Sequence, residues 1–573
     1  MTETLPERLP LRAGPLALVI EAGDVRSVHA GEHEIVRRLY GAVRDHAWRT
    51  IPGRLSGFTL DRDADAFRCR YRMDHRQDGV AFGWDATIEG TADGTLTFAF
   101  DGVAEATFER NRIGLCLLLP LPALSRAPIR VTTSTGSHRR LAFPDLVAIE
   151  QPMVGFDDIG AFACEVGPNL WLEASFEGDV FQAEDQRAWT DASAKFYSTP
   201  VTLPKPVTVP AGTRISQRVT LKLRASGAAA AGLPPAPFVI DRTDGELRIA
   251  DGPAGRLPAI GLLPTDAARH ARPAFLRVDL DLADEAARAA LAAHRHAGGL
   301  PIELVLRLPA DAAAAAQALD CLDLVGLDVA RVLAFTAGHD TTQPSTLDAV
   351  HAWRATHPAR AALPIATGTF SDLARIHVAP APLVRGDAVC WAMDPQAHAT
   401  DLTSIAETPD GARDQVRTVK QRFGGLPVAI TATLGRHGQP DPRATSLFAA
   451  GWTLALLAAL AEAGAESVTL AETWPGVDDF AALPVVHVLA ALAAVRNEDL
   501  RPVVSTLDRV RAVSFDRGLR RTLFVANLAP RDCELALPGD AAWTAWILGA
   551  GMVAPGRLSL GPFAIAGLEA ARR

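Results

Sequence analysis

Seven side chains that carry a charge, an indole or a phenol crowd into residues 184–197, within the stretch from Gly178 to Pro200. A purely structural loop needs Gly, Pro, Asn or Asp for its dihedral angles, and does not need acids, a guanidinium, an indole and an ammonium together. Such a mixture suits the binding of a small, hydroxyl-rich molecule with an anionic group. The alternative is a tightly hydrogen-bonded connection between strands. The residues are Glu184, Asp185, Arg187, Trp189, Asp191, Lys195 and Tyr197.

Six further candidates lie between residues 277 and 474, in or just after short apolar runs. Glu472 carries the clearest signal because it ends an apolar run and stands two residues before Trp474. Loss of water around a carboxyl group raises its pKa, which suits it to general acid or base catalysis near neutral pH. An aspartate before proline commonly opens a turn, so Asp394 has a structural alternative. The full set is Arg277, Asp279, Asp394, His398, Glu472 and Trp474.

No sequence motif indicates a metal or a nucleotide cofactor. His33 and Glu34 lack the second histidine of a helical zinc motif. GxSxG, GxGxxG and P-loop patterns are missing, so a serine hydrolase and the usual nucleotide cofactors have no support. We therefore predict no cofactor and no metal site; the spacing shows no site for a divalent ion, although Asp279, Asp281 or Glu472 could hold one.

The composition is that of a folded protein without affinity for nucleic acid. Of 573 residues 48% are hydrophobic and 21% charged, and the net charge of −9 argues against a polyanionic partner. Six scattered cysteines without a CxxC pattern fit reduced thiols in a cytosolic protein. No secretory signal or membrane-spanning run is evident. We predict a cytoplasmic protein with no membrane contact, and the sequence leaves a homo-oligomer open.

The first part of the chain has the pattern of an antiparallel β-sandwich. Within residues 1–225, many short runs alternate apolar and polar residues with period two and end at Gly-Asp or Asp-Gly turns. Residues 226–237 are small residues and prolines, which indicates a linker. The length of the whole chain fits several domains.

Residues 238–498 alternate short apolar runs with Ala-rich segments of helical period, which predicts a (β/α)8 TIM-like barrel. An open doubly wound sheet would require a Gly-rich first turn, which is absent. Function in a barrel lies at the carboxyl ends of the strands. The eight apolar runs of the predicted barrel are Leu257–Leu263, Phe275–Leu282, Ile302–Leu308, Val332–Thr336, Leu363–Thr369, Ala388–Met393, Val428–Thr433 and Ser467–Glu472.

Residues 499–573 return to short strand patterns and predict a small C-terminal β domain.

The stretch GDVFQAEDQRAWTDASAKFYSTP resembles the sequence hallmark of the D-apionate lactonase family, bacterial enzymes that open D-apionolactone to D-apionate. The chain departs from the family pattern at Ala188 and Ala194, where the family has Asn and Phe, and at Asp394, where it has Asn. The resemblance covers most of the chain, because four shorter segments also fit: residues 108–120, 275–282, 394–401 and 467–476.

The resemblance implies a β domain, a barrel and a small C-terminal β domain, and the attack of water on a sugar-lactone carbonyl. A general base must deprotonate the water, and cationic or hydrogen-bonding groups must stabilise the oxyanion. We expect Glu472 or His398 as the base. Arg277 or Arg187 would polarise the carbonyl. We also expect Asp279 among the catalytic residues. For this mechanism the Glu184–Lys195 loop must fold over the barrel mouth. The other substrate contacts would come from Glu184, Asp185, Trp189, Asp191, Lys195, Asp394 and Trp474.

Two other functions fit the same pattern. A glycoside hydrolase needs two carboxyl groups, about 5–5.5 Å apart for retention or about 6.5–9.5 Å for inversion. A non-catalytic sugar-binding protein would keep the aromatic side chains and tolerate loss of Glu472. Fold analogy does not separate lactonase from glycosidase, whereas activity on lactones or on aryl glycosides does. The glycosidase would pair Glu472 with Asp279, Asp394 or Glu407.

Overall fold

The computed structural model describes residues 8–225, 242–251, 255–284, 291, 299–378, 385–435, 439–539 and 542–571. Their contacts divide the chain into two compact units. The N-terminal unit runs to Gln186 and again from Ser193 to Arg242, whereas Arg187–Ala192 belongs with Thr243 and the rest of the chain in the second unit. The predicted linker, residues 226–237, lies outside the described residues.

The N-terminal unit consists of two antiparallel sheets that share one hydrophobic core, which confirms the predicted antiparallel strands. Its strands are β1 (Arg8–Ala13), β2 (Leu16–Glu21), β3 (Asp24–Ala30), β4 (His33–Asp45), β5 (Gly53–Arg62), β6 (Phe67–Gln77), β7 (Val80–Gly90), β8 (Thr95–Ala104), β9 (Phe108–Pro120), β10 (Pro128–Thr133), β11 (His138–Ala142), β12 (Ile159–Gly167), β13 (Leu170–Glu177), β14 (Gln182–Asp185), β15 (Ser193–Tyr197), β16 (Val207–Val209) and β17 (Arg214–Ala225). The first sheet has the order β1-β2-β3-β4-β9-β15-β14, with β16 beside β9. The second has the order β11-β10-β12-β13-β17-β8-β7-β6-β5.

Eight parallel strands in the second unit close into a barrel. They are β19 (Ala259–Leu262), β20 (Phe275–Asp281), β21 (Ile302–Leu308), β22 (Val329–Thr336), β23 (Ile365–Gly368), β24 (Ala388–Met393), β25 (Val428–Ala432) and β26 (Ser467–Leu470). Each overlaps one of the eight predicted apolar runs, so the predicted barrel strands are confirmed. Strands buried on both faces are mostly apolar, and these strands fit that pattern except β20, β21 and β22, which also carry charged residues.

Helices follow seven of the barrel strands within the described residues. They are α1 (Asp266–Ala271), α2 (Ala312–Asp320), α3 (Pro344–Ala355), α4 (Leu373–Val378), α5 (Leu402–Arg422), α6 (Leu447–Glu462) and α7 (Pro484–Ala493). The longest two have side-chain caps: Asp401 accepts from Ser404 N at the start of α5, and Ser446 accepts from Ala449 N at the start of α6. No described helix has the length and apolar character to cross a membrane.

The last sheet contains a strand from before the barrel. Its strands are β18 (Asp244–Ile249), β27 (Asp499–Ser505), β28 (Val510–Arg517), β29 (Arg520–Asn527), β30 (Cys533–Ala536), β31 (Thr544–Leu548), β32 (Gly551–Ala554), β33 (Arg557–Leu560) and β34 (Ile565–Ala571). β18 pairs with β27 and β30. Residues 244–249 therefore belong to the C-terminal sheet, although the sequence assigned them to the barrel. Period-two patterns reveal a strand but not its partner.

Candidate active site

Arg277 and Asp279 lie together on β20. The Arg277 Nε donates to Asp279 Oδ1 (2.7 Å), and its Nη1 donates to Thr431 Oγ1 on β25. Because β20 and β25 are not neighbours in the barrel, this second bond crosses the barrel interior. Arg277 is buried, whereas about half of the Asp279 side chain is exposed. Two predicted residues are thus in contact, and the guanidinium is held in one orientation by two oxygen acceptors.

A second charged pair in the barrel interior was not predicted. Glu303 on β21 accepts from Thr469 Oγ1 on β26 (2.7 Å) and pairs with Arg331 Nε (2.9 Å). Glu303 is nearly fully buried, and a buried charge requires such partners. The only sequence signal was a single acid inside the apolar run 302–308. Strand register places Glu303 beside Arg277 on the neighbouring strand.

Glu472 lies on the outer side of the barrel wall. It follows β26, which ends at Leu470, whereas Thr469 on that strand reaches into the interior toward Glu303. There Glu472 lines a cavity of about 20 Å³ with Trp452 of α6 and Leu489 of α7, which has room for about one water molecule. Glu472 is therefore directed toward the surrounding helices.

The Glu472 carboxylate holds the chain that follows β25. Its Oε2 accepts from Leu434 N (2.7 Å) and from Thr433 Oγ1 (3.1 Å). Its Oε1 is buried without a hydrogen-bond partner among the described residues. Burial raises the pKa of Glu472, and the bond from Leu434 N opposes that rise. The carboxylate thus has a structural contact on one oxygen and an unsatisfied second oxygen.

The loop after β24 is fixed to the loop after β25 through Gln396. The Gln396 amide donates to Leu434 O (2.6 Å) and to Asp441 Oδ2 (2.6 Å). Arg443 donates to Gln396 Oε1 (3.0 Å). Leu434 is the residue whose N–H bonds Glu472, so a chain of hydrogen bonds links Glu472 to the loop that carries His398.

The segment Arg187–Ala192 packs on α5. The Arg187 guanidinium pairs with Asp414 Oδ2 (2.7 Å), and both side chains are almost completely buried. Gln415 donates from its amide to the Arg187 carbonyl (2.7 Å). Part of the predicted Glu184–Lys195 loop therefore reaches the barrel unit. Because Arg187 is fully buried and ion-paired, its place in the fold favours a structural role.

Asp191 and His398 form a hydrogen-bonded pair. Nδ1 of His398 contacts Asp191 Oδ2. The Trp189 ring meets the His398 ring edge to face, with centroids 5.5 Å apart. Trp189 and His398 are partly exposed, and Asp191 is buried. Three predicted residues from distant parts of the chain thus meet, in the arrangement of an imidazole oriented by a carboxylate.

Backbone strain occurs between Arg187 and Asp191. Thr190 has φ of 79°, a conformation that a β-branched residue rarely adopts. Its carbonyl lies against Gly411 of α5, where an added Cβ would be 2.2 Å from the Thr190 oxygen. Glycine inside a helix costs about 1 kcal/mol relative to alanine, so this glycine is explained by the close approach of the segment. Strain of this kind persists where the surroundings hold it, and often at functional sites.

Substitution Gly411→Ala is expected to lower kcat/KM roughly 100-fold, because the new methyl group would push Thr190 and Asp191 away from α5. A displacement of about 1 Å in a catalytic group can have an effect of that size. Steady-state kinetics and thermal unfolding measure the two consequences. Ala412→Gly on the same helix is the control, because it loses helix propensity without moving Asp191. Equal activity of Gly411→Ala and wild type would contradict the contact.

Asp372 is a carboxyl group that the sequence did not single out. It precedes α4, and Asp394 follows β24. The pKa of Asp372 is raised to about 6, chiefly because burial disfavours the charged form; Arg375 opposes this rise and Asp394 adds to it. Its Oδ1 is buried without a partner among the described residues. Asp394 itself accepts from Gln396 N (2.8 Å) in a turn, as its position before proline suggested.

Asp372→Asn is expected to raise stability above pH 6 by about 2–3 kcal/mol, from a pKa difference between about 6 folded and 3.8 unfolded. The folded state binds this proton more tightly than the unfolded chain does. The free energy of unfolding therefore falls as pH rises from about 4 to about 6 in the wild type, and this contribution is absent from the variant. Urea denaturation between pH 4 and pH 8 measures it. Parallel pH profiles for the two proteins would contradict the raised pKa.

The remaining predicted residues are buried and bonded to protein groups. Glu184 pairs with Lys195 (3.2 Å). Asp185 accepts from Ala148 N (2.9 Å). Trp474 donates from its indole to Ala444 O (3.2 Å) and is 7% exposed. These contacts favour structural roles, so Trp189 is the predicted aromatic residue that keeps an exposed surface.

Family comparisons cover both units. The N-terminal domain of D-apionate lactonase matches residues 1–226, and the TIM barrel domain of D-apionate lactonase matches residues 262–440 and 434–497. A D-apionate lactonase from Brucella anthropi is 28% identical over 526 residues, which cover 82% of this chain and 83% of that protein.

Among solved structures, a GH30 endoxylanase from Clostridium papyrosolvens C71 is 10% identical over 57% of this chain and 100% of its own, with a TM-score of 0.39. A glucosidase from Croceicoccus marinus is 10% identical over 58% of this chain and 99% of its own, with a TM-score of 0.40. The two D-apionate lactonase domains together match most of the chain, so this protein belongs to the D-apionate lactonase family.

Proposed function

We propose that this protein opens a sugar-acid lactone, D-apionolactone or a close aldonolactone, by attack of a base-activated water on the lactone carbonyl. The observation that carries the proposal is the Asp191–His398 pair beside the partly exposed Trp189. Membership of the family supports the lactone as the substrate class, and the Brucella anthropi relative is a D-apionate lactonase.

His398 acts as the base in this proposal. With Nδ1–H directed at the Asp191 carboxylate, Nε2 is the nitrogen that takes a proton from water. The resulting hydroxide adds to the carbonyl carbon and gives a tetrahedral oxyanion. When the intermediate collapses, the ring oxygen leaves and takes the proton back from His398. Asp191 stabilises the transient imidazolium, and no proton is gained or lost by the enzyme over the cycle.

Arg277 is the cation that we assign to the carbonyl oxygen. Its guanidinium is oriented by Asp279 and Thr431, so it is fixed before the substrate arrives. Donors that are already in place stabilise a developing oxyanion without reorganisation. The alternative, Arg187, is fully buried against Asp414. Trp189 supplies an apolar surface for the sugar ring.

Glu472 acts in this proposal as a positioning residue for the His398 loop. Its contact with Leu434 N and the bond from Gln396 to Leu434 O connect Glu472 to that loop.

The glycosidase alternative is disfavoured by the contacts of the carboxylates that it would use. Glu407 is ion-paired with Arg509 (2.6 Å), and Glu472 faces the helices rather than the barrel interior.

Acid release from a lactone panel in weak buffer tests the proposal. The panel contains D-apionolactone, other aldonolactones and, as the opposing arm, aryl glycosides. We expect rapid acid production from at least one lactone and none from the glycosides. Glu472→Gln should retain at least a tenth of the activity, because the amide oxygen still accepts from Leu434 N. Activity on glycosides alone would overturn the proposal and restore the glycosidase.

A further inference from the structure

One face of the first N-terminal sheet carries charged and phenolic side chains instead of a second apolar layer. On β9 the residues Ile113, Leu115 and Leu117 belong to the hydrophobic core, and the alternate positions Arg112 and Cys116 face the other way. Such alternation is ordinary for a sheet with one face in water. Here, however, the polar face is itself buried.

Strand register places the polar residues in rows across four strands. Arg44 on β4 is opposite Arg112 on β9. In the next polar row, Tyr197 on β15 is opposite Cys116. The following row brings Lys195 of β15 opposite Glu184 of β14. Arg44, Arg112 and Lys195 therefore share one face of this sheet, together with Arg38 of β4, which lies in the same row as Lys195 and pairs with Asp24.

The cationic charge on this face exceeds the anionic charge. Arg112 is 3% exposed, Lys195 1% and Arg44 8%. Of these three, Lys195 alone has a carboxylate partner, Glu184 (3.2 Å). Within the described residues, Arg44 donates to the Trp48 carbonyl (3.4 Å), and no ion pair is formed by Arg44 or Arg112. Buried cations without counter-charges are costly, which indicates that an anion completes the cluster.

Nearby carboxylates are used elsewhere. Asp45 pairs with Arg49 (2.7 Å). Asp24 pairs with Arg38 (2.6 Å). Burial lowers the pKa of Lys195, Glu184 opposes this, and Arg112 lowers the pKa further, so the cations are close enough to repel one another.

Aromatic rings form the walls of this cationic face. The Arg112 guanidinium lies 3.9 Å from the Tyr197 ring centroid and 5.6 Å from that of Trp48. Lys195 Nζ lies 5.5 Å from the same Tyr197 ring. The Nε atoms of Arg44 and Arg112 are buried without hydrogen-bond partners in the described part of the chain. The cluster thus holds donors ready for an oxygen ligand.

We propose that this face binds a small oxyanion, the carboxylate or phosphate group of a metabolite, between Arg44, Arg112 and Tyr197. Guanidinium groups bind both oxyanions with paired, charge-assisted hydrogen bonds. Lys195 adds positive charge at the site. The residues named for the site all belong to the N-terminal unit, and the proposal does not depend on the proposed hydrolytic function.

Thermal unfolding of the full chain with added anions tests the site. Sodium phosphate and sodium gluconate are the probes, and sodium chloride at equal ionic strength is the control. We expect phosphate, gluconate or both to raise Tm well beyond chloride, because a ligand that binds the folded state stabilises it. A response to phosphate alone identifies a phosphate site, and a response to gluconate alone identifies a carboxylate site. Equal effects of all three salts would overturn the proposal.

Arg112→Met is the discriminating variant, since methionine keeps apolar contact with Tyr197 but loses the charge. It should weaken anion binding roughly 10- to 100-fold and should not lower Tm without anion, because it removes repulsion. Lys195→Met is the second variant if the first fails to fold. His398→Gln should keep the full anion response, which separates this site from the proposed active site. An undiminished response in Arg112→Met, or its loss in His398→Gln, would overturn the assignment.

Discussion

His398→Gln should lower kcat/KM for the lactone by about 1000-fold, within the range that general-base catalysis contributes. Glutamine keeps a polar side chain of similar reach, so it can still contact Asp191, but it does not take a proton from water. We expect the loss mainly in kcat, because in the proposed mechanism Arg277 and Trp189 contact the substrate independently of His398. Steady-state kinetics of acid release give both constants.

Two further variants show whether the loss of activity is specific to the Asp191–His398 pair. His270→Gln changes an exposed histidine on α1 and should leave kcat/KM within twofold of the wild type. Asp191→Asn should reduce kcat by at least tenfold while leaving His398 in place, since the amide does not stabilise an imidazolium as a carboxylate does. An active His398→Gln enzyme would remove His398 from the base role and return Glu472 to consideration.

Arg187→Met should reduce the free energy of unfolding by about 3 kcal/mol, because it leaves the buried Asp414 carboxylate without its closest partner. Arg417, 3.3 Å from Asp414, limits the loss. The same change should also lower kcat, since Arg187 anchors the segment that carries Asp191. Urea denaturation and steady-state kinetics measure the two effects.

The double variant Arg187→Met, Asp414→Leu separates structure from substrate binding. Replacing both charges with apolar groups should recover most of the lost stability. If Arg187 is structural, KM stays near the wild-type value in both variants. A large rise in KM with unchanged stability would instead mean that Arg187 binds the substrate directly.

The barrel strands could be predicted from the sequence because each is a short apolar run between helical segments. The sequence pattern places residues 244–249, which form β18, within the barrel domain (238–498), and the structure differs for a physical reason. The six residues of β18 carry a local strand signal, whereas its partners β27 and β30 lie about 250 residues away and are chosen by tertiary packing. Local pattern contains no information about such distant pairing.

The residue types of the candidate site could be predicted from the sequence. The directions in which their side chains point could be predicted less well. The crowded segment identified Asp191 and Trp189, and His398 was found from its position after a strand. Glu472 lies two residues beyond the end of β26, so no strand alternation in the sequence fixes whether it faces the interior or the helices. Sequence therefore marked Glu472 as unusual without showing that it points away from Arg277.

Other parts of the site left no usable sequence signal. Gly411 matters because the Thr190 carbonyl touches it, and Asp414 because Arg187 pairs with it. Both contacts join positions more than 200 residues apart. Asp372 is one aspartate in a turn until burial raises its pKa. Each became visible only through the three-dimensional contacts.

A single turnover in 18O-labelled water tests the central claim most directly. With enzyme in excess over the lactone, base-activated attack of water predicts one 18O atom in the product carboxylate and none in the enzyme. Unlabelled product together with 18O in an enzyme carboxylate would show that a side chain had attacked the carbonyl. Label at the hydroxyl-bearing carbon would show cleavage of the alkyl–oxygen bond. Either of these results would contradict the mechanism.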